Sequence, residues 1–135
     1  MQDRLEGGCQ CGGVRLTLDG PPLDAPAFCH CRMCQKATGA PVAAFGTWPS
    51  DRIAWRGEPA WYRSSHLADR AFCPACGGPL GMRMTATPDQ FDVLLAVLDE
   101  PGRVRPTHHI WWESRQDWLA IDDGLPKHAR GAPKG

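Results

Sequence analysis

Seven cysteines drawn into three short clusters restrict this chain of 135 residues more than any other feature. They read Cys9-x-Cys11, Cys29-x-Cys31-x-x-Cys34 and Cys73-x-x-Cys76. An odd number does not pair off as disulfides. The opening Met-Gln-Asp-Arg-Leu-Glu is charged and lacks the apolar stretch of an export signal. A reducing, cytoplasmic setting is therefore expected, in which clustered cysteines read as metal ligands or reactive thiols. Zinc favours tetrahedral thiolate and imidazole ligands, and short spacings let one turn present two sulfurs to a single ion.

The local chemistry divides the clusters. Cys73-Pro74-Ala75-Cys76-Gly77-Gly78 has the form of a zinc knuckle: proline stiffens the turn, and the glycines let the backbone bend and aim amides at sulfur. Cys9-Gln10-Cys11-Gly12-Gly13 ends in the same glycine pair. Joined, Cys9, Cys11, Cys73 and Cys76 make a closed structural zinc site. Cys29, Cys31 and Cys34 remain as three ligands to a second zinc with a vacant fourth position, which is what a catalytic zinc requires. Two zinc ions per chain follow. Linear order also permits another division, in which the first two clusters share an ion and Cys34 joins the knuckle. A redox dithiol at Cys73 and Cys76 would need a βαβ context that is missing here. An iron–sulfur cluster would use similar thiolates.

Fifteen glycines and 13 prolines punctuate the chain, so long helices have little room. The expected elements are short strands at Val14–Leu18, Pro41–Trp48, Arg52–Trp55, Ala60–Arg63, Leu80–Met84, Phe91–Leu98 and Thr107–Trp112. One helical turn is expected over Arg32–Thr38, closed by Gly39. The reading is an all-β or β-rich single domain over 1–126, with residues 127–135 a loose tail. From Gly124 onward there is little to bury. The aliphatic run Val93–Leu98 is too short to span a bilayer, and no membrane association is expected. Fifteen acidic residues balance 15 basic ones with no basic run, so no nucleic-acid partner is expected.

No histidine is assigned to a metal. His30 lies between two cysteines, and strand alternation would turn it away from their ion. His108 and His109 precede a tryptophan pair and read as packed or half-exposed, while His66 and His128 have no motif around them. Asp99-Glu100 and Asp122-Asp123 read as solvated turn residues, and Trp111, Trp112 and Trp118 as core. Lys36 and Thr38, just after Cys34, are candidate contacts for an anionic substrate, set against a capped and solvated turn.

Three segments carry a family resemblance: Gly8-Cys9-Gln10-Cys11-Gly12; Cys29-His30-Cys31-Arg32-Met33-Cys34-Gln35-Lys36-Ala37-Thr38-Gly39-Ala40-Pro41; and Phe72-Cys73-Pro74-Ala75-Cys76-Gly77. A fourth stretch runs from His109-Ile110-Trp111-Trp112 through Trp118 to Asp123-Gly124-Leu125-Pro126. Together they resemble the glutathione-dependent formaldehyde-activating enzymes over nearly the whole chain. The resemblance implies a β-tent of folded antiparallel sheets with two zinc sites. It places structural zinc on Cys9, Cys11, Cys73 and Cys76, and catalytic zinc on Cys29, Cys31 and Cys34, with water or a substrate thiol in the fourth place. It implies a carbon–sulfur lyase or synthase that joins glutathione, or another small thiol, to formaldehyde. The alternative expectation is a non-catalytic zinc module that binds a protein partner.

Overall fold

A computed structural model describes residues 4–132. Strand formation follows alternating burial. Strand β1 (Arg4–Gly8) turns Leu5 and Gly7 inward, and β2 (Arg15–Asp19) buries Leu16 and Leu18. These two pair antiparallel, and β5 (Ile53–Arg56) completes a three-stranded sheet in the order β1-β2-β5.

The second sheet has seven strands: β3 (Ala27–Cys29), β4 (Ala43–Pro49), β6 (Ala60–Ser65), β7 (Ala68–Phe72), β8 (Pro79–Met84), β9 (Gln90–Leu94) and β10 (His108–Ile110). Their order is β10-β3-β4-β9-β8-β7-β6. Every pair in it is antiparallel except β10 with β3, which is parallel and departs from the expected all-antiparallel arrangement.

The principal core lies between the sheets, where Leu16, Leu18, Trp48, Leu80, Phe91 and Val93 pack together. Trp48 is fully buried, and its indole N–H donates to the Gly20 carbonyl at 2.9 Å. Removing water from apolar surface of this kind is worth about 25 cal/mol per Å². Gly7 of β1 forms an antiparallel bridge with Leu98, four residues beyond the end of β9. A Cβ on Gly7 would fall 2.5 Å from the Val97 carbonyl oxygen, so this approach needs glycine.

The one α-helix among the described residues, α1 (Arg32–Thr38), matches the expected bounds. Gly39 closes it at φ 73°, donating its N–H to the Gln35 carbonyl. Expected strand bounds shift by a residue or two, with two larger changes. The Phe91–Leu98 segment is a strand only to Leu94 and then tightens into a 3-10 turn, Leu95–Val97. The Thr107–Trp112 segment holds a strand only at β10, because Trp111 turns into the left-handed region at φ 56°.

The tail expected to be loose over residues 127–135 is held as far as Arg130. The carbonyls of Pro126, His128, Ala129 and Arg130 accept from the N–H groups of His109, Trp112, Glu113 and Trp111. Lys127 also bridges His109 in parallel fashion. The free edge of β10 at His109 and the segment Trp111–Glu113 after it supply the partner that sequence composition did not reveal. Residues 133–135 lie outside the described residues.

Candidate metal centre

Two groups of sulfurs gather, each with all its sulfurs within 4.8 Å of one another: Cys9, Cys11, Cys73 and Cys76 in one, Cys29, Cys31 and Cys34 in the other. Either could hold a metal ion. No cysteine is in a disulfide. The 3.7 Å separations of Cys9–Cys11, Cys11–Cys73 and Cys29–Cys34 are far longer than the 2.05 Å of a sulfur–sulfur bond.

The four-cysteine group is built from two turns of similar design. One follows β1 in the small sheet and the other follows β7 in the large sheet. In the first, the Gly12 N–H donates to the Cys9 carbonyl, and Gly12 takes φ 78°. The Val14 and Gly13 amides point at the Cys9 and Cys11 sulfurs, each at 3.3 Å. In the second, the Gly77 N–H donates to the Cys73 carbonyl and Gly77 also takes φ 78°. Here the Ala75 and Cys76 amides point at Cys73 sulfur, both at 3.4 Å. Amide donation stabilises thiolate charge. Burial pulls the Cys9 thiol up, yet the Val14 amide and the neighbouring sulfurs pull it further down, to about 6. Cys9 and Cys73 are buried, whereas Cys11 and Cys76 are exposed.

The three-cysteine group sits where β3 runs into α1. Cys29 ends the strand, Cys31 caps the helix and Cys34 lies in its first turn. The Cys34 amide donates to the Cys31 sulfur at 3.3 Å, so one thiol both caps the helix and belongs to the group that could hold a metal ion. Hydrogen bonds from Cys29 and then Cys34 hold the Cys31 thiol far below its usual value. The same charge, facing Cys29, drives the Cys29 thiol far up. Cys29 and Cys34 are buried, and Cys31 alone is partly exposed.

Beside this group lies a cleft of about 340 Å³, lined by Thr38, Tyr62, Arg70, Phe72, Pro79 and Leu94 among others. A neighbouring cleft of about 470 Å³ shares Thr38, Pro79 and Leu94 and continues to Gly8, Cys9 and Gly78. The two clefts thus run from the vicinity of one sulfur group to the other. Arg70 had no signal in the sequence. It is 7% exposed, and its Nη2 donates to the Cys34 sulfur at 3.6 Å.

Lys36 and Thr38 are not brought together. Thr38 lines both clefts, but its hydroxyl donates to the Cys34 carbonyl and accepts from the Ala40 amide. Lys36 is exposed in a separate shallow basin with Arg32, Gln116 and Trp118. Trp118 is 70% exposed and Trp111 36%, so neither belongs to the core expected for the tryptophan-rich segment.

His30 turns to another histidine. Its Nε2 lies 2.8 Å from His109 Nδ1, and His109 Nε2 lies 2.7 Å from Asp123. Both imidazoles are 1% exposed. Burial first, and then His109, lowers His30 to about 4, leaving it neutral at pH 7. The hydrogen bond from His109 holds Asp123 below the usual carboxylate range. Asp123 is therefore the tether of a buried chain, a role its acidic-pair context concealed. Gln35 adds a second tie, donating to the His30 and Ser114 carbonyls and so fastening the C-terminal segment to the cysteine-bearing loop.

A family model described as glutathione-dependent formaldehyde-activating enzyme matches residues 4–114. The chain is 31% identical over 77 residues to an uncharacterized lyase of Schizosaccharomyces pombe, covering 56% of this chain and 54% of that protein. It thus spans about half the length of that relative. A putative glutathione-dependent formaldehyde-activating enzyme of Halomonas elongata is 26% identical over 133 residues, covering 87% of this chain and 81% of that one. A crystal structure of a Rhodobacter sphaeroides protein shares the fold at TM-score 0.59 and 19% identity, over 91% of this chain and 98% of that one.

Proposed function

The chain belongs to the glutathione-dependent formaldehyde-activating enzyme family, and on that premise we propose that it is a zinc-dependent carbon–sulfur lyase or synthase acting on a low-mass thiol adduct. Glutathione and formaldehyde are the reactants, and S-hydroxymethylglutathione is the product. The observation that carries the reading is a group of three sulfurs with no fourth protein ligand atom joined to it among the described residues, and with one partly exposed member.

The donor set fits zinc. A tetrahedron with zinc–sulfur bonds of about 2.3 Å separates its sulfurs by about 3.8 Å. The closest sulfur pairs of both groups stand at 3.7 Å. Zinc held by Cys29, Cys31 and Cys34 would supply an open coordination position and strip the proton from an entering thiol. The protein's own part is to hold the sulfurs and keep water from two of them. Cys29 and Cys34 are shielded, so an incoming thiol has its approach on the side of Cys31. The Cys34 amide supports negative charge on the Cys31 sulfur throughout. The substrate thiol loses its S–H proton, its sulfur electron pair forms a bond to the aldehyde carbon, and the carbonyl π pair moves to oxygen. Oxygen then takes a proton, so nothing is oxidised or reduced. The reverse sequence is the lyase reaction.

Two zinc ions per purified chain are expected by elemental analysis, without visible iron–sulfur absorbance. One ion per chain removes the second centre from this reading, and iron would replace the metal altogether.

Glutathione titrated into zinc-loaded protein is expected to bind in the micromolar-to-millimolar range, as followed by calorimetry. Exchange of the hemithioacetal, followed by NMR, is expected to exceed the uncatalysed rate, which must be subtracted because thiols add to formaldehyde unaided. Failure to bind thiol when zinc-loaded overturns the thiol chemistry in favour of a zinc module that binds a protein partner. Binding without acceleration retains the thiol site and discards formaldehyde.

A further inference from the structure

We infer that Arg70 determines which ligands the three-cysteine centre accepts: its guanidinium offsets negative charge at the sulfurs and favours an anionic thiolate over a neutral donor in the fourth position. The inference rests on the reading of that centre as a metal site with an open position.

Arg70 lies in the middle of β7, between β6 and β8, opposite Tyr62 on one side and Met82 on the other. Two flanking strands therefore hold its backbone in place. Its Nε donates to the Ser64 hydroxyl at 2.9 Å, while its Nη2 faces Cys34 sulfur at 3.6 Å. A guanidinium remains charged in any protein environment, and a buried one is rarely left without an opposite charge. Among the described residues no carboxylate pairs with Arg70. The adjacent Asp69 is engaged by Arg63 at 2.6 Å and Arg83 at 3.7 Å. With a metal bound, Cys34 would be a thiolate, and its sulfur, the acceptor facing Nη2, would be the negative partner of Arg70.

The charge count gives this pairing its consequence. Three thiolates around a dication leave the centre with a net negative charge, which repels a further anion. Arg70 cancels that excess, so an entering thiolate meets a neutral assembly. A neutral ligand gains nothing from the cancellation. Arg70 also lines the cleft of about 340 Å³ beside the centre.

The test compares two probes on cobalt-loaded full-length protein, read by the thiolate charge-transfer and ligand-field bands. The probes are 2-mercaptoethanol, a thiol without other charges, and imidazole, a neutral donor. Arg70→Met is expected to weaken thiol binding roughly 10–100-fold, the usual range for removing a partner of a metal ligand, with imidazole binding unchanged. Arg70→Lys keeps the charge and is expected to recover most of the thiol affinity. Arg70→Gln gives the same readout as the methionine variant if that one is insoluble. Equal weakening of both probes, or no weakening of either, overturns the role given to Arg70. If wild-type cobalt protein takes up neither probe, the open position itself is refuted and this inference falls with it.

Discussion

Cys11→Ala and Cys76→Ala are each expected to leave no folded, soluble protein. Both side chains are exposed, so the substitutions remove almost no buried surface. An exposed substitution away from special features ordinarily changes stability by within about 0.5 kcal/mol. The expected collapse therefore comes from the metal. Structural zinc contributes on the order of 10–16 kcal/mol of apparent binding free energy, against a net domain stability of about 5–15 kcal/mol. Geometry explains why so much depends on this group. The sulfurs of Cys11 and Cys73 meet across 62 residues of sequence and join the turn after β1 to the turn after β7. An ion held there would tie the small sheet to the large one beside the core they share. Circular dichroism and zinc content of the soluble fraction check the result. A folded Cys76→Ala protein with a normal melting profile contradicts the structural assignment.

Cys31→Ala is expected to give the opposite outcome: a folded chain that retains one zinc, loses the other, and no longer binds glutathione. Cys31 and Cys34 are three residues apart, and Cys29 and Cys34 five, so no distant parts of the fold depend on that ion for their attachment. The structural loss is the helix cap, because the Cys34 amide no longer has the Cys31 sulfur to donate to. A lost cap costs about 0.5–2 kcal/mol, which lowers the melting temperature by a few degrees. Zinc analysis with a thermal melt separates the two terms. A Cys31→Ala protein that unfolds as completely as Cys11→Ala erases the distinction between the centres.

The division of the cysteines could be read from the chain because local chemistry carries it. Both knuckle turns place a glycine pair after their second cysteine, and in both the first glycine takes the positive φ that such a turn demands. Helix α1 was equally legible, since Gly39 terminates it by the same freedom. What the sequence concealed depends on distant partners. Strand β7 reads Ala-Asp-Arg-Ala-Phe, without a β-branched residue, and is a strand because β6 and β8 flank it. Arg70 gains its meaning only when β7 brings it to Cys34, 36 residues away in sequence. The tail after Gly124 offers little apolar surface, but the backbone of His109 and of Trp111–Glu113 pairs with Pro126–Arg130, aided by Lys127 over Trp112 and by Arg130 on Glu113. Asp123 looked like half of a solvated pair until His109 reached it.

The different sequence spans of the two sulfur groups also order events in time. Closing a loop costs entropy that grows with its length, and contacts between distant residues form late. Cys29, Cys31 and Cys34 lie within one short segment and would emerge together during synthesis, before the strands β4 and β6 to β10 of the large sheet are made. The four-cysteine group cannot be complete until Cys76 has been made and both knuckle turns have met. If both groups hold ions as proposed, a chain whose metal supply fails midway would fill the three-cysteine group and leave the four-cysteine group empty.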